Sequence, residues 1–422
     1  MKKLALVFAA ALLPFSLFSQ TSREELLQDL NRTGGVYYAY PEPTAALTPA
    51  PKGYEPFYVS HFGRHGSRYL ISDWDYEKVA KLLHTAKEHD ALTPEGLQLA
   101  ADLDSLMLET RGRGGDLSPL GVRQHKGIAA RMAGNYPQVF NRKDASISAR
   151  STLVVRCVLS MAAFCESLKE FNPSLDIRKE SSQRYMPIIC PSNDASNGFR
   201  DHTTWKEIGR KFYYNQTHPE RLVKAIFSSP DFIEAYVNPE DFMWGVYWLA
   251  ADAQNVETPI DFKKYLTPDE LIDLWQSNNA GFYARHADWI PSDGVVIKES
   301  APLVMDIVSE ADKAISGNGD AATLRFAHDG NLVPLAALMG IEGATGRTLH
   351  PEDFMSTWCD FKVAPMAGNI QLVFFRSKKN PQDILVKVLH NEREVRLEGL
   401  ASDSFPYYKW SDLRPYLVAR TK

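Results

Sequence analysis

The sequence has few cysteines, no excess of positive charge and, after residue 19, no apolar run approaching the roughly 18 residues of a membrane-spanning helix. Lysine and arginine number 47 against 52 aspartates and glutamates, which gives a formal net charge of −5. An acidic chain is a poor general binder of nucleic acid, so we expect neither a membrane span nor a nucleic-acid partner. The sequence also contains no internal repeat, low-complexity tract or nucleotide-binding glycine loop.

The four cysteines, Cys157, Cys165, Cys190 and Cys359, are not spaced like the ligands of a zinc site. Cys157 and Cys165, if they share one helix, lie about 12 Å apart and cannot form a disulfide bond. Four cysteines otherwise allow three sets of pairings in an oxidising compartment. Four unpaired, buried thiols are the alternative.

The first 19 residues have the pattern of a secretory signal peptide. Lys2 and Lys3 give a basic start, residues 4–15 are apolar, and Ser19 is a small residue at a plausible cleavage point. The apolar part is too short to remain as a membrane span. No cysteine precedes Cys157, which disfavours a lipid-anchored lipoprotein. The pattern therefore predicts a periplasmic or secreted protein.

A turn that combines two arginines with a histidine follows the first predicted strand. Residues 57–62 alternate in the manner of a short strand, and two glycines then interrupt any regular pattern. Arg64, His65 and Arg68 lie in this turn. A guanidinium binds phosphate oxygens in a planar fork, and two of them around one imidazole suit a phosphoryl group under attack. The alternative is a basic surface loop whose histidine has no special role.

A zinc site formed by His61 and His65 is disfavoured. This spacing brings two ligands together on one face of a helix, but Gly63 and Gly66 argue against a helix at this position. We therefore expect no metal ion here.

A second candidate site lies at residues 325–332, where a histidine and an aspartate are adjacent. Residues 323–327 are predicted to form a strand, and residues 331–339 a helix with an apolar face. His328 and Asp329 thus fall at a strand-to-helix junction, where ligands bind in α/β folds. The alternative is that Asp329 only caps the helix and His328 is solvated.

The third candidate is an arginine at the start of another predicted helix. Residues 145–149 alternate like a strand, and the helix that follows has Ser151 or Thr152 as a plausible N-cap. Arg156 lies in the first turns of that helix, and Arg150 is the competing candidate. An exposed arginine without a binding role is the alternative.

These three stretches resemble, in the same order, the motifs of the histidine acid phosphatase family. Residues 64–68 match the start of its Arg-His-Gly-x-Arg-x-Pro motif, although Leu70 replaces the final proline. Arg156 matches the last position of a Ser-Thr-x-x-x-Arg pattern, and His328 and Asp329 match the family's His-Asp pair. The resemblance covers roughly residues 54–170 and 320–400.

Two details of these motifs favour inositol phosphates as substrates. His328-Asp329-x-Asn331 resembles the phytase-like subgroup, and Tyr69 after Arg68 also occurs in the inositol polyphosphate branch. That branch usually has His-Ala-Glu at the second site. Gly330 stands where this glutamate would fall, so the resemblance makes Asp329 the proton donor.

Alternating strand and helix signals predict an α/β sheet with helices on both faces, and the resemblance implies a phosphoglycerate-mutase-like core. Helical signals dominate between residues 166 and 310. We expect residues 20–165 and 311–422 to form the α/β core and residues 166–310 to form a mostly helical cap inserted in it. Further strands are predicted at residues 370–376 and 384–389, and helices at residues 74–89, from residue 94, and from residue 119 to 132.

The resemblance implies a phosphomonoesterase, an acid phosphatase or phytase, that works through a phosphohistidine. His65 would attack phosphorus and must be neutral, with its second ring nitrogen bonded to an acceptor. Asp329 would protonate the leaving group and later take a proton from water; bound phosphate and partial burial should raise its pKa. Because arginines supply the positive charge, no metal or other cofactor is required. The residues expected to bind phosphate are Arg64, Arg68, Arg156 and His328.

Two other functions compete with this one. A mutase of the same superfamily is disfavoured by the signal peptide and the His-Asp pair. A binding protein without catalysis is disfavoured because His65 and Asp329 are both present. We expect a monomer whose partner is a small-molecule phosphate monoester. Inositol phosphates are the expected substrates, and the alternative is a sugar phosphate or a broad range of esters.

Overall fold

The computed structural model of the chain describes residues 23–143, 145–201, 203–349 and 354–422. The expected signal peptide at residues 1–19 lies outside these ranges and stays a prediction. The described residues form one eight-stranded sheet. Its strands are β1 (Tyr54–Arg64), β2 (Ser146–Ser151), β3 (Asp176–Ser181), β4 (Ala322–Ala327), β5 (Asn369–Ser377), β6 (Ile384–His390), β7 (Arg393–Glu394) and β8 (Tyr407–Lys409).

Helices precede, connect and follow these strands. Short 3₁₀ helices cover Leu30–Tyr37, Phe262–Tyr265 and Ile290–Ser292. The α-helices are α1 (Arg23–Gln28), α2 (Trp74–Glu88), α3 (Pro94–Thr110), α4 (Pro119–Asn135), α5 (Pro137–Phe140), α6 (Val155–Phe171), α7 (Met186–Ile189), α8 (Asp194–Asp201), α9 (Thr203–Gln216), α10 (Glu220–Ile226), α11 (Pro230–Tyr236), α12 (Pro239–Val256), α13 (Pro268–His286), α14 (Val295–Lys298), α15 (Ala301–Ile315), α16 (Asp329–Leu338), α17 (Phe354–Thr357), α18 (Asp360–Val363) and α19 (Trp410–Arg420).

The sheet combines a parallel half with an antiparallel half. Its strand order is β3-β2-β4-β1-β5-β6-β7, and β8 pairs with β6. Strands β3, β2, β4 and β1 run parallel, whereas β5 is antiparallel to β1 and β6 is antiparallel to β5. The parallel strands are joined by helical connections, which confirms the predicted α/β class.

Apolar side chains fill both faces of the sheet. Tyr58 of β1 and Phe374 of β5 belong to a core that also contains residues of α15, α16 and α19. Their chain neighbours Val59 and Val373 belong to a second core, against residues of α4 and α6. Because side chains alternate along a strand, these two cores lie on opposite faces. The prediction of helices on both faces is therefore confirmed.

The N-termini of α3 and α4 are capped by side-chain hydroxyl groups. Thr93 accepts a hydrogen bond from the backbone N–H of Gly96, and Ser118 accepts one from Gly121. In each helix proline occupies the first position, where its missing N–H costs no intrahelical hydrogen bond. These caps fix where the two helices begin behind the loop that follows β1.

The first boundary of the expected helical insertion needs correction. The division between residues 165 and 166 falls inside α6, and β3 lies beyond it, paired in parallel with β2. β3 is therefore part of the central sheet. Sequence reasoning missed it because its residues are largely polar and exposed, as an edge strand's can be. The rest of the proposed division stays a prediction, although helices do fill the segment between β3 and β4.

All four cysteines are free thiols, so the alternative without disulfide bonds applies to this structure. Cys157, Cys165 and Cys359 are buried, and Cys190 is partly exposed. Within the described ranges, no helix has the length and apolar character needed to cross a membrane.

Candidate active site

The three stretches singled out from the sequence meet at one edge of the sheet. β1 and β4 are parallel neighbours with Arg64 opposite Ala327, and β2 lies on the other side of β4 with Ser151 opposite Phe326. The carboxyl ends of the three strands therefore coincide, which is where ligands bind in open α/β sheets. The backbone N–H of His65 donates to the carbonyl of Ala327 at 2.9 Å, so the first and second sites are directly joined.

The loop after β1 is packed tightly against the start of α4. β1 extends to Arg64, so this arginine ends the strand and the turn begins at His65. A side chain at Gly66 would bring its Cβ to 2.5 Å from the carbonyl oxygen of Gly121, which only glycine avoids. The N–H of Gly66 donates to Ser160 Oγ at 3.1 Å, and that of Ser67 to Gln124 Oε1 at 2.8 Å. We call residues 65–70 the phosphate loop.

His65 is buried and held in one orientation. It is 2 % exposed, and its Nδ1 lies 2.9 Å from the carbonyl oxygen of Gly66. A carbonyl can only accept, so Nδ1 carries the proton and Nε2 has a free lone pair. Burial, together with the charges of Arg64 and Arg68, lowers the pKa of His65 well below its usual value. The imidazole is therefore neutral, as a nucleophile must be.

Arg64 is fully buried and joins the first site to the second. Its Nη2 lies 2.7 Å from Oδ2 of Asp329. Its Nη1 donates to the carbonyl of Ala364 at 2.8 Å and also to that of Val36. These contacts fix the plane of the guanidinium beside His65.

Asp329 is ionised in the ligand-free protein, and the expected rise of its pKa in the presence of bound phosphate stays a prediction. Burial alone would raise the pKa of Asp329, but the charge of Arg64, with smaller contributions from His328 and Arg68, lowers it to about 2. Oδ1 accepts from the N–H of Gly330 at 2.7 Å. The sequence could not reveal the ion pair with Arg64, and the expectation had assumed bound phosphate. The carboxylate side chain is 23 % exposed, so one side of it is open to solvent.

Arg68 is oriented by Tyr37, a residue of the N-terminal segment. Nη2 of Arg68 donates to the hydroxyl of Tyr37 at 3.0 Å, and the guanidinium carbon lies 4.6 Å from the centre of the tyrosine ring. Nη1 donates to the carbonyl of Tyr69 at 2.8 Å. Arg68 is only 5 % exposed, so these contacts determine where its charge lies.

Arg156, and not Arg150, lies near the other candidate residues. The charge of Arg156 helps to lower the pKa of His65. The pKa of Arg156 is in turn affected by the charges of Arg68, which lowers it, and of Asp329, which raises it. Its Nη1 points to the carbonyl of Gly115 at 3.4 Å, a long bond that leaves donors for a ligand. Arg150 instead contacts α15, with Nη1 3.3 Å from Asp306 Oδ1 and Nη2 3.9 Å from Glu310 Oε1.

His328 caps α16 and faces the nucleophile candidate. The ring centres of His65 and His328 are 5.7 Å apart. Nε2 of His328 lies 3.2 Å from Oγ1 of Thr152. Neither Thr152 nor Ser151 caps α6, so that expectation is wrong. The N-cap of α6 is Val154. Burial lowers the pKa of His328 to about 4, so it is neutral at mild pH and can donate one hydrogen bond.

The structure adds residues that sequence reasoning did not single out. Tyr37 orients Arg68, and Ser160 and Gln124 hold the phosphate loop. The imidazole of His286 lies against Gly330, with Cε1 3.3 Å from the position of a Cβ there. These residues lie far from the motifs along the chain and belong to no recognisable pattern, so only the fold could identify them.

His61 is a buried core residue. Its ring packs against Phe164 and Phe326 with centre distances of 4.9 and 5.4 Å. Within the described ranges, no group of three or more His, Cys, Asp or Glu side chains could hold a metal ion. The positive charge of the site comes from Arg64, Arg68 and Arg156.

Six side chains thus surround one small volume at the edge of the sheet. They provide one neutral imidazole with a free lone pair, three guanidinium groups, a second imidazole and a carboxylate. Such a set can bind a tetrahedral dianion, attack it and exchange a proton with its leaving group. The residues are His65, Arg64, Arg68, Arg156, His328 and Asp329.

Comparison with known proteins gives a family match over most of the chain. A family model described as histidine phosphatase superfamily (branch 2) matches residues 59–391. The matched region contains all six residues of the candidate site. Among curated proteins, none matches the sequence significantly.

Solved structures with the same fold include a multiple inositol polyphosphate phosphatase and a phytase. The multiple inositol polyphosphate phosphatase of Bifidobacterium longum in complex with inositol hexasulfate is 19% identical, with a TM-score of 0.78, over 93% of this chain and 98% of that chain. The phytase from D. castellii is 16% identical, with a TM-score of 0.71, over 98% of this chain and 90% of that chain. At these identities the likeness concerns the fold.

Proposed function

Because the chain belongs to branch 2 of the histidine phosphatase superfamily and is a phosphoric monoester hydrolase, we propose that it hydrolyses inositol phosphates through a phosphohistidine formed on His65. The observation that carries this proposal is the state of His65. The ring is buried and neutral, its Nδ1–H is committed to the carbonyl of Gly66, and Nε2 remains free. The charges of Arg64, Arg68 and Arg156 help to lower the pKa of this imidazole.

In the first step, Nε2 of His65 attacks phosphorus while the bond to the leaving oxygen breaks. The arginines and His328 bind the three oxygens that do not react, where charge is spread in the transition state. Asp329 protonates the leaving oxygen. The products are the free alcohol and a phosphorylated His65.

Asp329 must gain a proton before this step, because it is ionised without ligand. A bound phosphate dianion would share the charge of Arg64 and add negative charge near the carboxylate. Both effects raise the pKa of Asp329. Substrate binding in mild acid would therefore protonate the general acid.

In the second step, water attacks the phosphorus of phosphohistidine and the P–N bond breaks. Asp329, now ionised, takes a proton from the attacking water. Inorganic phosphate leaves, and His65 regains its free lone pair. The same carboxyl thus acts first as acid and then as base.

Inositol phosphates are the substrate class that the motif details and the fold relatives favour. The B. longum relative was solved with inositol hexasulfate, and the D. castellii relative is a phytase. A panel of phytate, sugar phosphates and p-nitrophenyl phosphate in mild acid distinguishes this class from a broad specificity. We expect the highest kcat/KM for phytate; similar values for all the esters would favour a general acid phosphatase.

The protein acts in the periplasm or outside the cell, according to the pattern of its first 19 residues. Mass spectrometry of the protein from the producing cell should then give a chain that begins at Gln20. A full-length chain in the cytoplasmic fraction would contradict this location.

The nucleophile is tested by replacing His65 with alanine. We expect the H65A variant to fold but to lose turnover, and rapid quenching of wild type with labelled substrate to trap an acid-labile, base-stable phosphoenzyme. H84A is the matched control, since His84 is half exposed and pairs with Asp104. A trapped phosphoserine, or full activity in H65A, would overturn the proposal.

A further inference from the structure

A buried carboxyl group of α12 lies behind the phosphate loop. Asp252 is 1 % exposed, and its Oδ2 accepts a hydrogen bond from the hydroxyl of Tyr76 at 2.5 Å. The same hydroxyl accepts from the backbone N–H of Leu70 at 2.8 Å. Within the described ranges, Oδ1 of Asp252 has no hydrogen-bond partner. The carboxyl is thus joined to the exit of the phosphate loop through one hydroxyl group.

The next turn of α12 makes a second connection to the same loop. Oδ1 of Asn255 accepts from the hydroxyl of Ser67 at 2.7 Å, and its Nδ2 donates to the carbonyl of Tyr37 at 2.8 Å. Tyr37 in turn accepts from Arg68. Through Asn255, α12 therefore contacts both the phosphate loop, at Ser67, and Tyr37, the residue that orients Arg68.

Asp252 is a carboxyl group whose charge acts on Arg68 and which the proposed mechanism does not use. The negative charge of ionised Asp252 helps to raise the pKa of four neighbouring groups, which are Arg68, Tyr37, Tyr69 and Tyr76. Burial raises the pKa of Asp252 to about 7, against the hydrogen bond from Tyr76 and the charge of Arg68, which lower it. The carboxyl is therefore mostly neutral in mild acid and becomes charged above neutral pH.

We propose that Asp252 positions the phosphate loop through Tyr76, and that its protonation state sets how strongly Arg68 in this loop binds an anion. The inference rests on the proposed role of Arg68 in binding phosphate. When Asp252 is neutral, the guanidinium interacts with the ligand alone. When Asp252 is ionised, a buried negative charge competes for Arg68 and repels a bound dianion.

The sign of the effect follows from linkage. An anion near Arg68 disfavours the charged form of Asp252, so binding raises the pKa of this carboxyl. Affinity must therefore fall as the pH rises through about 7. If anion binding raises the pKa of Asp252 by about one unit, the anion binds about tenfold more tightly when Asp252 is neutral than when it is ionised.

The test measures binding of inorganic sulfate by calorimetry between pH 6 and 8.5. Sulfate is a dianion throughout this range and cannot be hydrolysed, so neither ligand titration nor catalysis contributes. The histidines of the site stay neutral, since the pKa values of His286 and His328 are about 3 and 4 and that of His65 is well below its usual value. We expect wild-type affinity to fall about tenfold across the range. D252N affinity should fall much less, because only the coupling of the anion to Asp329 beside Arg64 remains.

Asp288 provides the matched control, because it is also buried and its pKa is also raised by burial. Its charged neighbours are Arg347 and Arg420, not the phosphate loop. The D288N variant should keep the pH dependence of wild type. If D252N retains the full wild-type fall in affinity, or if wild type shows none, the proposal is wrong.

A second variant, Y76F, tests the proposal even if the D252N variant does not fold. Loss of the tyrosine hydroxyl removes the hydrogen bond that stabilises ionised Asp252, so the midpoint of the affinity loss should move to higher pH. A purely structural role for Tyr76 would weaken binding equally at every pH. Because only anion binding is measured, the outcome is also separate from the fate of His65 as the nucleophile.

Discussion

Arg64 and Asp329 form an ion pair across the candidate site, with Nη2 of Arg64 2.7 Å from Oδ2 of Asp329. In the proposed mechanism these residues have separate roles, one in binding phosphate and one in proton transfer. A bound phosphate competes with the carboxylate for the guanidinium. The ligand would thereby release Asp329 and raise its pKa, so the general acid becomes protonated only when a leaving group is present.

Replacement of Asp329 by asparagine should affect poor leaving groups most. An inositol alkoxide needs a proton as it leaves, whereas p-nitrophenolate does not. We expect the first step to slow by about 10²–10⁴-fold for an inositol phosphate and far less for p-nitrophenyl phosphate. Single-turnover rates are the appropriate measurement, because slow dephosphorylation could mask the difference at steady state.

Glu310 is the carboxylate to compare in the same experiment. It lies on α15, 2.9 Å from Lys313 Nζ and 3.9 Å from Arg150 Nη2. E310Q should leave the ratio of the two substrates unchanged. Equal losses for both substrates in D329N, or a selective loss in E310Q, would show that Asp329 is not the acid.

Replacement of Arg156 by alanine should weaken binding of the substrate and of the transition state. A lost charged donor costs roughly 2–4 kcal/mol, or about 30- to 900-fold in kcat/KM. Arg150 offers a matched control, because its partners Asp306 and Glu310 lie on α15. R150A should alter stability more than kcat/KM. The reverse result would mean that the third site has been assigned to the wrong arginine.

Removal of metal ions should leave activity unchanged. In the proposed mechanism Arg64, Arg68 and Arg156 supply the charge that a metal supplies in other phosphatases. Turnover should therefore be the same before and after dialysis against EDTA. A lasting loss that zinc or magnesium reverses would contradict this assignment of the charge.

The sequence predicted best those parts of the site in which neighbouring residues determine the structure. Arg64 ends β1, and His65 and Arg68 lie in the loop that follows it. Apolar runs identified β1, β4, β5 and β6, so the position of this loop followed from local patterns. β3 was missed because an exposed edge strand carries no apolar alternation.

Contacts between distant parts of the chain could not be read in this way. The role of Tyr37 depends on how the N-terminal segment folds back onto Arg68. The pKa of Asp329 depends on an ion pair with Arg64, which lies at the end of a different strand. In both cases the fold, and not the local sequence, decides which charges become neighbours.

Acid should destabilise the protein through histidines that the fold keeps neutral. His61 and His125 are fully buried, and burial lowers the pKa of each to about 3. Between their unfolded pKa of about 6.5 and this value, the unfolded chain binds protons that the folded chain does not. The free energy of unfolding should therefore decrease as the pH falls through this window, by about 3 kcal/mol for each histidine at pH 4.

Urea unfolding at pH 7 and pH 4 measures this effect. H125F removes one titrating group while keeping a ring beside Phe164 and Phe326, the aromatic neighbours of His125. The difference in unfolding free energy between the two pH values should be smaller in H125F than in wild type. H84Q is the control, because the side chain of His84 is half exposed and pairs with Asp104, and it should keep the wild-type difference. If H125F and H84Q lose stability equally on acidification, the buried histidines are not its cause.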